Sequence, residues 1–256
     1  MSPSPTIVDS GQHFEFNAVP ASQPLRWLRL AWQDMHRHWG ASLGYGALTV
    51  ALGWTLLVFC GTHPYFIAAA ISGFLLVGPA LAAGLVEMSR RYSLGEGASF
   101  DDSLAGFARN RTALLEFGAV LAAIAVLWFA LSAVLLGSVF NVPAPDMSLT
   151  LYHGFFDEVN RQQVLAYLAV GSVLAVAVFA VSAIAVPLII ERHATASQAM
   201  LISFRAVLTH LPAMILWSAL ILVLAVAGLA PFLLGMLVVM PLLGHATWHA
   251  YRSLVR

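Results

Sequence analysis

The chain has 256 residues, of which 60% are apolar and only 9% charged, and its mean hydropathy is +0.85. A soluble domain carries about 25% charged residues, and a chain this short cannot bury so much apolar surface within itself, so an ordinary soluble domain is excluded. Zero formal net charge excludes a broad basic field for nucleic acid, and the single cysteine, Cys60, excludes an internal disulfide framework.

Residues 1–24 combine prolines and serines with Asp9 and Glu15 and lack both a basic and an apolar signal region. They predict a flexible tail and no cleaved signal peptide. Beyond it, Leu25, Leu28, Trp32, Met35 and Trp39 alternate with Arg26, Arg29, Gln33 and Arg37 at helical spacing, which predicts a short amphipathic helix.

From His38 to Val86 there are 49 residues without Asp, Glu, Lys or Arg. A bilayer core takes roughly 20 residues of helix, so this run accommodates two spans. Gly61-Thr62-His63-Pro64 marks the turn between them, because Gly frees the backbone and Pro lacks a donor. The spans are placed at 41–60 and 65–87.

Ser99-Phe100-Asp101-Asp102 opens a second amphipathic helix: serine suits the N-cap, acids suit the first turn, and Phe100, Leu104 and Phe107 share a face. Two charge-free runs of 29 residues follow, Phe117–Pro145 and Gln162–Ile190. They predict spans at 113–139 and 163–190. Between them, Leu149, Leu151, Tyr152, Phe155, Phe156 and Val159 have the spacing of a helix lying on the outer surface.

A third amphipathic helix opens near Ser197, with Met200, Leu201, Phe204, Val207 and Leu208 apolar. The last charge-free run, Ala206–Tyr251, spans 46 residues and breaks at Gly228-Leu229-Ala230-Pro231. It predicts spans at 211–228 and 231–250.

The predicted fold is therefore all-α: a polytopic membrane bundle of six transmembrane helices over residues 25–256, built from three degenerate units. Each unit is an amphipathic helix followed by two spans, the second carrying Pro79, Pro187 or Pro241. Eleven of the twelve basic residues, all arginines, fall on one side of this arrangement; only Arg161 lies opposite. The positive-inside bias makes that side cytoplasmic, with both termini inside and the inner membrane as the location.

Several segments resemble a bacterial integral-membrane family, the domain of unknown function 2189. They are Trp32-Gln33-Asp34 through His38-Trp39, Ser42-Leu43-Gly44-Tyr45-Gly46, and Leu75-Leu76-Val77-Gly78-Pro79-Ala80-Leu81-Ala82-Ala83-Gly84-Leu85 with Ser89-Arg90-Arg91. The likeness extends over most of the chain after Pro24. Some members carry a cytochrome c oxidase label, but this chain has too few spans and intramembrane histidines for a haem–copper catalytic subunit. The resemblance implies an inner-membrane protein and transfers no catalytic residue.

Nucleotide-binding signatures and H-E-x-x-H are absent. Proteolysis by metal or serine is not expected, and no catalytic or cofactor-binding residue is assigned. His245 and His249 stand four apart on one helix face and form the sharpest candidate for metal; Glu191, His193 or His210 would supply a further donor. The plainer expectation is that these histidines anchor the membrane interface with Trp248 and Tyr251. Glu116 is expected to pair with Arg111 or Arg109, and Glu87 with Arg90 and Arg91.

These features predict a non-enzymatic protein without cofactor, in contact with the lipid bilayer and not with nucleic acid. Its expected role is scaffold or assembly partner of a membrane complex, a respiratory oxidase included. A small-solute carrier or channel, lined by hydroxyls such as Thr49, Thr55, Ser132 and Ser218, is one alternative. A metal- or haem-handling protein is the other.

Overall fold

Each of the three amphipathic segments folds as a short helix and passes into a long apolar one through a single non-helical residue. A computed structural model describes residues 7–9, 12–60, 78, 82–139 and 158–256. Helix α1 (Gln23–Arg37) has Pro24 in its first turn, where a missing N–H costs nothing, and buries Pro24, Trp27, Ala31, Asp34 and Met35. His38 leaves helical geometry (φ −145°, ψ 74°), and α2 (Trp39–Cys60) begins.

After α3 (Ala83–Ser93), the second short helix, α4 (Phe100–Arg109), starts on a capping box. The Ser99 hydroxyl accepts from the Asp102 N–H, and the Asp102 carboxylate accepts from the Ser99 N–H, as the sequence predicted for the cap. Asn110 (φ −147°, ψ 65°) then leads into α5 (Arg111–Val139).

Helix α6 (Glu158–Ser182) and α7 (Ala185–Arg192), which contains Pro187, are separated by a short turn. The third short helix, α8 (Ala196–Thr209), is capped by Thr195 with Gln198, two residues ahead of the predicted start. His210 (φ −120°, ψ 38°) joins it to α9 (Leu211–Leu229), and α10 (Met236–Leu254) carries Pro241 inside.

Among the described residues four helical stretches are long and apolar enough to cross a membrane: Trp39–Val58, Arg111–Ser132, Leu165–Arg192 and Leu211–Leu229. They coincide with the predicted first, third, fourth and fifth spans. Most of the predicted second span, 65–87, lies outside the described residues, as does most of the predicted outer-surface helix. The predicted sixth falls on α10, whose second half is more polar, with His245, Thr247, His249 and Arg252.

The chain divides into two compact units. The larger comprises residues 1–50, 79–117 and 179–256. Its core is built from fully buried Trp27, Met35, Leu85, Met88, Ile184, Leu188, Trp217 and Trp248. There α1 packs mainly along α10: the Trp27 indole stands edge-on to Trp217, and its Nε1–H donates to Ser253 Oγ at 2.7 Å. The smaller unit comprises 51–78 and 118–178; in it Trp128 of α5 packs against Tyr167 of α6, with ring centroids 5.2 Å apart.

Within residues 1–24, expected to form a free tail, the described segments pair and dock instead. Strands β1 (Ile7–Asp9) and β2 (Gln12–Phe14) form an antiparallel hairpin, and Phe14 and Phe16 are buried. Phe16 bridges to Val255, the Asn17 N–H donates to the Leu254 carbonyl, and the Arg256 N–H donates to the Glu15 carbonyl, each at 3.0 Å for the two hydrogen bonds. Two buried aromatic rings and backbone pairing outweigh the polar composition of this segment.

Candidate functional site

The buried face of α1 carries one acid. Asp34 sits at the helical spacing that otherwise holds Trp27, Ala31 and Met35, so packing α1 on the core draws its carboxylate inside with them. Three neighbours meet it. The Ser89 hydroxyl of α3 donates to Asp34 Oδ2 at 2.6 Å, His249 Nε2 of α10 donates to the same oxygen at 2.8 Å, and Arg37 Nη1 lies 3.6 Å from Oδ1.

One turn earlier on α10, His245 is fully buried between two serines. Its Nδ1 is 2.8 Å from Ser89 Oγ, and its Nε2 is 3.0 Å from Ser42 Oγ on the first turn of α2. These contacts have a direction. The single Ser89 proton is committed to the carboxylate, so His245 Nδ1 must carry the N–H that Ser89 Oγ accepts. Nε2 is then the acceptor for the Ser42 hydroxyl. The chain Ser42, His245, Ser89, Asp34 thus runs as successive donations ending on an anion, with His249 as a second donor at that end.

Burial raises the proton affinity of Asp34, but the hydrogen bonds from His249 and Ser89 and the nearby imidazoles outweigh it, and its pKa lies below the ordinary 3.8. Beside the network, Tyr92 stacks on His38 under the Arg37 guanidinium; burial and the Asp34 charge push its hydroxyl up to about 12.

A second buried acid, Glu87, lies in the same unit. Its Oε2 accepts from Arg90 Nε and Arg109 Nε, both at 2.8 Å, and its Oε1 accepts from Arg90 Nη2 at 2.9 Å and Arg109 Nη2 at 3.1 Å. Arg91 Nε lies 3.4 Å from Glu87 Oε1, and Arg91 Nη1 lies 3.2 Å from Asp102. Arg90 also reaches Glu191 of α7 at 3.9 Å. The bidentate Arg109–Glu87 pair ties α4 to α3, the bidentate Arg90–Glu87 pair lies within α3, and the Arg90–Glu191 ion pair reaches α7.

Several sequence expectations change here. His245 and His249 do share a face, but their partners are Asp34, Ser89 and Ser42 rather than Glu191, His193 or His210. The interfacial-anchor reading fails for His245, Trp248 and Tyr251, which are all buried inside the protein. Among the described residues no group of three or more His, Cys, Asp or Glu is arranged to hold a metal ion. Glu87 pairs with Arg90 and Arg91 as expected. Glu116 is exposed on α5 and forms no ion pair among the described residues: of the two arginines expected beside it, Arg109 is turned to Glu87 and Arg111 stands five residues away along the helix.

One signal lay in plain view. Gly40-Ala41-Ser42-Leu43-Gly44 is a G-x-S-x-G pattern, and its serine does meet a histidine in a chain that ends on an aspartate. The likeness to a hydrolase triad stops there. Ser42 lies in a helix rather than on a strand-to-helix elbow, is completely buried, and its own N–H donates to the His38 carbonyl at 3.2 Å. No substrate carbonyl can approach a hydroxyl that is completely buried.

Residues 66–191 match the family model described as predicted integral membrane protein (DUF2189). That segment belongs to the family. It contains Glu87 with all its arginines, together with Leu75–Leu85 and Ser89–Arg91 from the resemblance noted above, but not the 32–46 motifs. The DUF2189 segment supplies only Ser89 to the histidine network; Asp34, Ser42, His245 and His249 lie outside it. No curated protein and no solved structure matches the chain.

Proposed function

We propose that this is a six-span inner-membrane protein with both ends of the chain in the cytoplasm. It acts without catalysis, as a scaffold or assembly partner of another membrane complex, a respiratory oxidase included. The observation that carries the non-catalytic reading is that the polar groups of the His245 chain and of the Glu87 cluster are closed on one another. Both ring nitrogens of His245 and the Ser42 hydroxyl are spent on neighbouring helices, both oxygens of Glu87 are spent on Arg90 of its own helix and Arg109 of α4, and none of these three residues is exposed.

The six-span count is supported by where the chain returns. It departs three times, at His38, Asn110 and His210, and comes back at Glu87, Glu191 and His249. Departure and return points are tied together: Ser42 and Ser89 through His245, and Asn110 Nδ2 to the Ala194 carbonyl at 3.0 Å. An excursion that returns to the side it left crosses an even number of times, and two is the number that the charge-free runs of each excursion accommodate. Outward-facing Leu115, Val126 and Leu127 on α5 leave apolar surface for lipid or a neighbouring protein.

The carrier reading has less behind it. Three of the hydroxyls it would use turn back on their own helices: Thr49 donates to the Tyr45 carbonyl at 2.9 Å, Thr55 to Ala51 at 2.8 Å and Ser218 to Ile215 at 2.9 Å. Purification in mild detergent after in-cell crosslinking tests the scaffold role. A stoichiometric membrane-protein neighbour is expected, and recovery of the chain alone with no crosslinked neighbour would overturn it.

A further inference from the structure

All three short helices keep a line of large apolar side chains exposed: Leu25, Trp32 and Trp39 at α1, Phe100, Leu104 and Phe107 on α4, and Leu201, Phe204 and Leu208 on α8. In each case one residue separates the helix from an apolar span-length helix. These lines therefore sit at the depth where a span leaves the hydrocarbon, which is where amphipathic helices bury such faces.

Helix α1 differs from the other two in charge. It carries three arginines, Arg26, Arg29 and Arg37, all exposed, and its one acid, Asp34, is buried and already paired. Around the helix axis, the 100° step per residue sets three adjoining stripes. Trp27, Ala31, Asp34 and Met35 face the core, Leu25, Leu28, Trp32 and His36 come next, and Arg26, Arg29 and Arg37 flank these on the side away from the core. Trp32, His36 and Trp39 are clustered, with successive ring centroids 4.6 Å apart. On α4, by contrast, Asp101 is exposed and Arg109 is consumed by Glu87, while α8 offers only Arg205.

We propose that α1 is a seat for anionic phospholipid headgroups, with Leu25, Trp32 and Trp39 in the acyl boundary and Arg26 and Arg29 on lipid phosphates. Two features commit the occupant to lipid: continuity with the first span, and an unbalanced basic flank beside an aromatic one, the composition that holds helices on anionic leaflets. The seat requires that α2 cross the membrane, as proposed above, but requires no protein partner.

The test uses the full chain purified in detergent, with thermal unfolding followed as phosphatidylglycerol, phosphatidylcholine or soluble glycerol phosphate is added. Phosphatidylglycerol is expected to raise the midpoint by several degrees more than phosphatidylcholine, and glycerol phosphate to leave it unchanged. The selective gain is expected to vanish in Arg26→Gln/Arg29→Gln and to survive in Arg252→Gln, a control arginine on α10. Both arginines are exposed without an ion pair among the described residues, so the double variant retains the core. Equal gains in wild type and double variant would overturn the seat, as would an equal shift with glycerol phosphate, which would make the site one for soluble phosphate. Loss of crosslinked neighbours in the double variant without any change in lipid response would instead make α1 a protein interface. Failure of the scaffold role leaves these lipid shifts untouched, so the two outcomes separate.

Discussion

At the scale of single residues, the network around Asp34 makes its own pH dependence. The native state holds this carboxyl below its ordinary value of 3.8, so folding favours the ionised form. Its contribution is complete above that value and is lost as pH falls through the native one. Asp34→Asn removes the anion that Ser89 and His249 serve and is expected to cost about 2–4 kcal/mol at neutral pH. It should also flatten the decline of unfolding midpoint as pH falls below 3.8, measured by thermal melts in detergent; an unchanged slope would show that another acid carries it. Ser42 supplies a second measurement. A fluorophosphonate probe is expected to leave it unmodified, whereas labelling abolished by Ser42→Ala would make it a nucleophile. Sequence spacing reveals that His245 and His249 share a face, because four residues is a local relation. Their partners are not legible in the same way, since Ser89, Ser42 and Asp34 stand 156, 203 and 215 residues away. Glu116 shows the converse: it lies five residues from Arg111, and helical neighbours meet at three or four.

At the scale of elements, the three short helices are legible because a period of 3.6 sorts their apolar residues into stripes, and two of them start on a capping box written in the sequence. The close approach of α2 to α10 is not legible from either helix alone. Pro241 has no N–H for the Leu237 carbonyl, and that carbonyl lies against Gly46, where a methyl group would overlap it. Backbone cannot step aside as a side-chain tip can. Gly46→Ala is therefore expected to cost about 1–3 kcal/mol in unfolding measurements. Gly40, one turn and a half earlier on the same helix, has open space, and Gly40→Ala should be neutral or stabilising. Equal effects at the two positions would remove the basis for this contact.

For the whole molecule, long charge-free runs make the four span-length apolar helices legible, since such runs are what length and hydropathy measure. Docking of residues 14–17 is not legible, because nothing local in a polar segment announces that Phe14 and Phe16 will find cover beside Val255. Topology follows from the proposed six crossings. Reporter fusions after Gly61, near Met147 and near Leu229 are expected to be active outside only, and fusions near Ser93, near Ala196 and after Arg256 to behave as cytoplasmic. An external signal at Ser93 or Ala196 would break the two-crossing excursions.

The pairing of α1 with α10 also sets a timetable for synthesis. Helix α1 leaves the ribosome early, yet the histidine that covers Asp34 is 215 residues further along. At about 5–20 residues per second, the nascent chain carries that acid and the Trp27 face uncovered for roughly 10–40 s. Chains interrupted before α10 would keep this face open indefinitely, and so would be marked for proteolysis by the same surface that the finished protein buries.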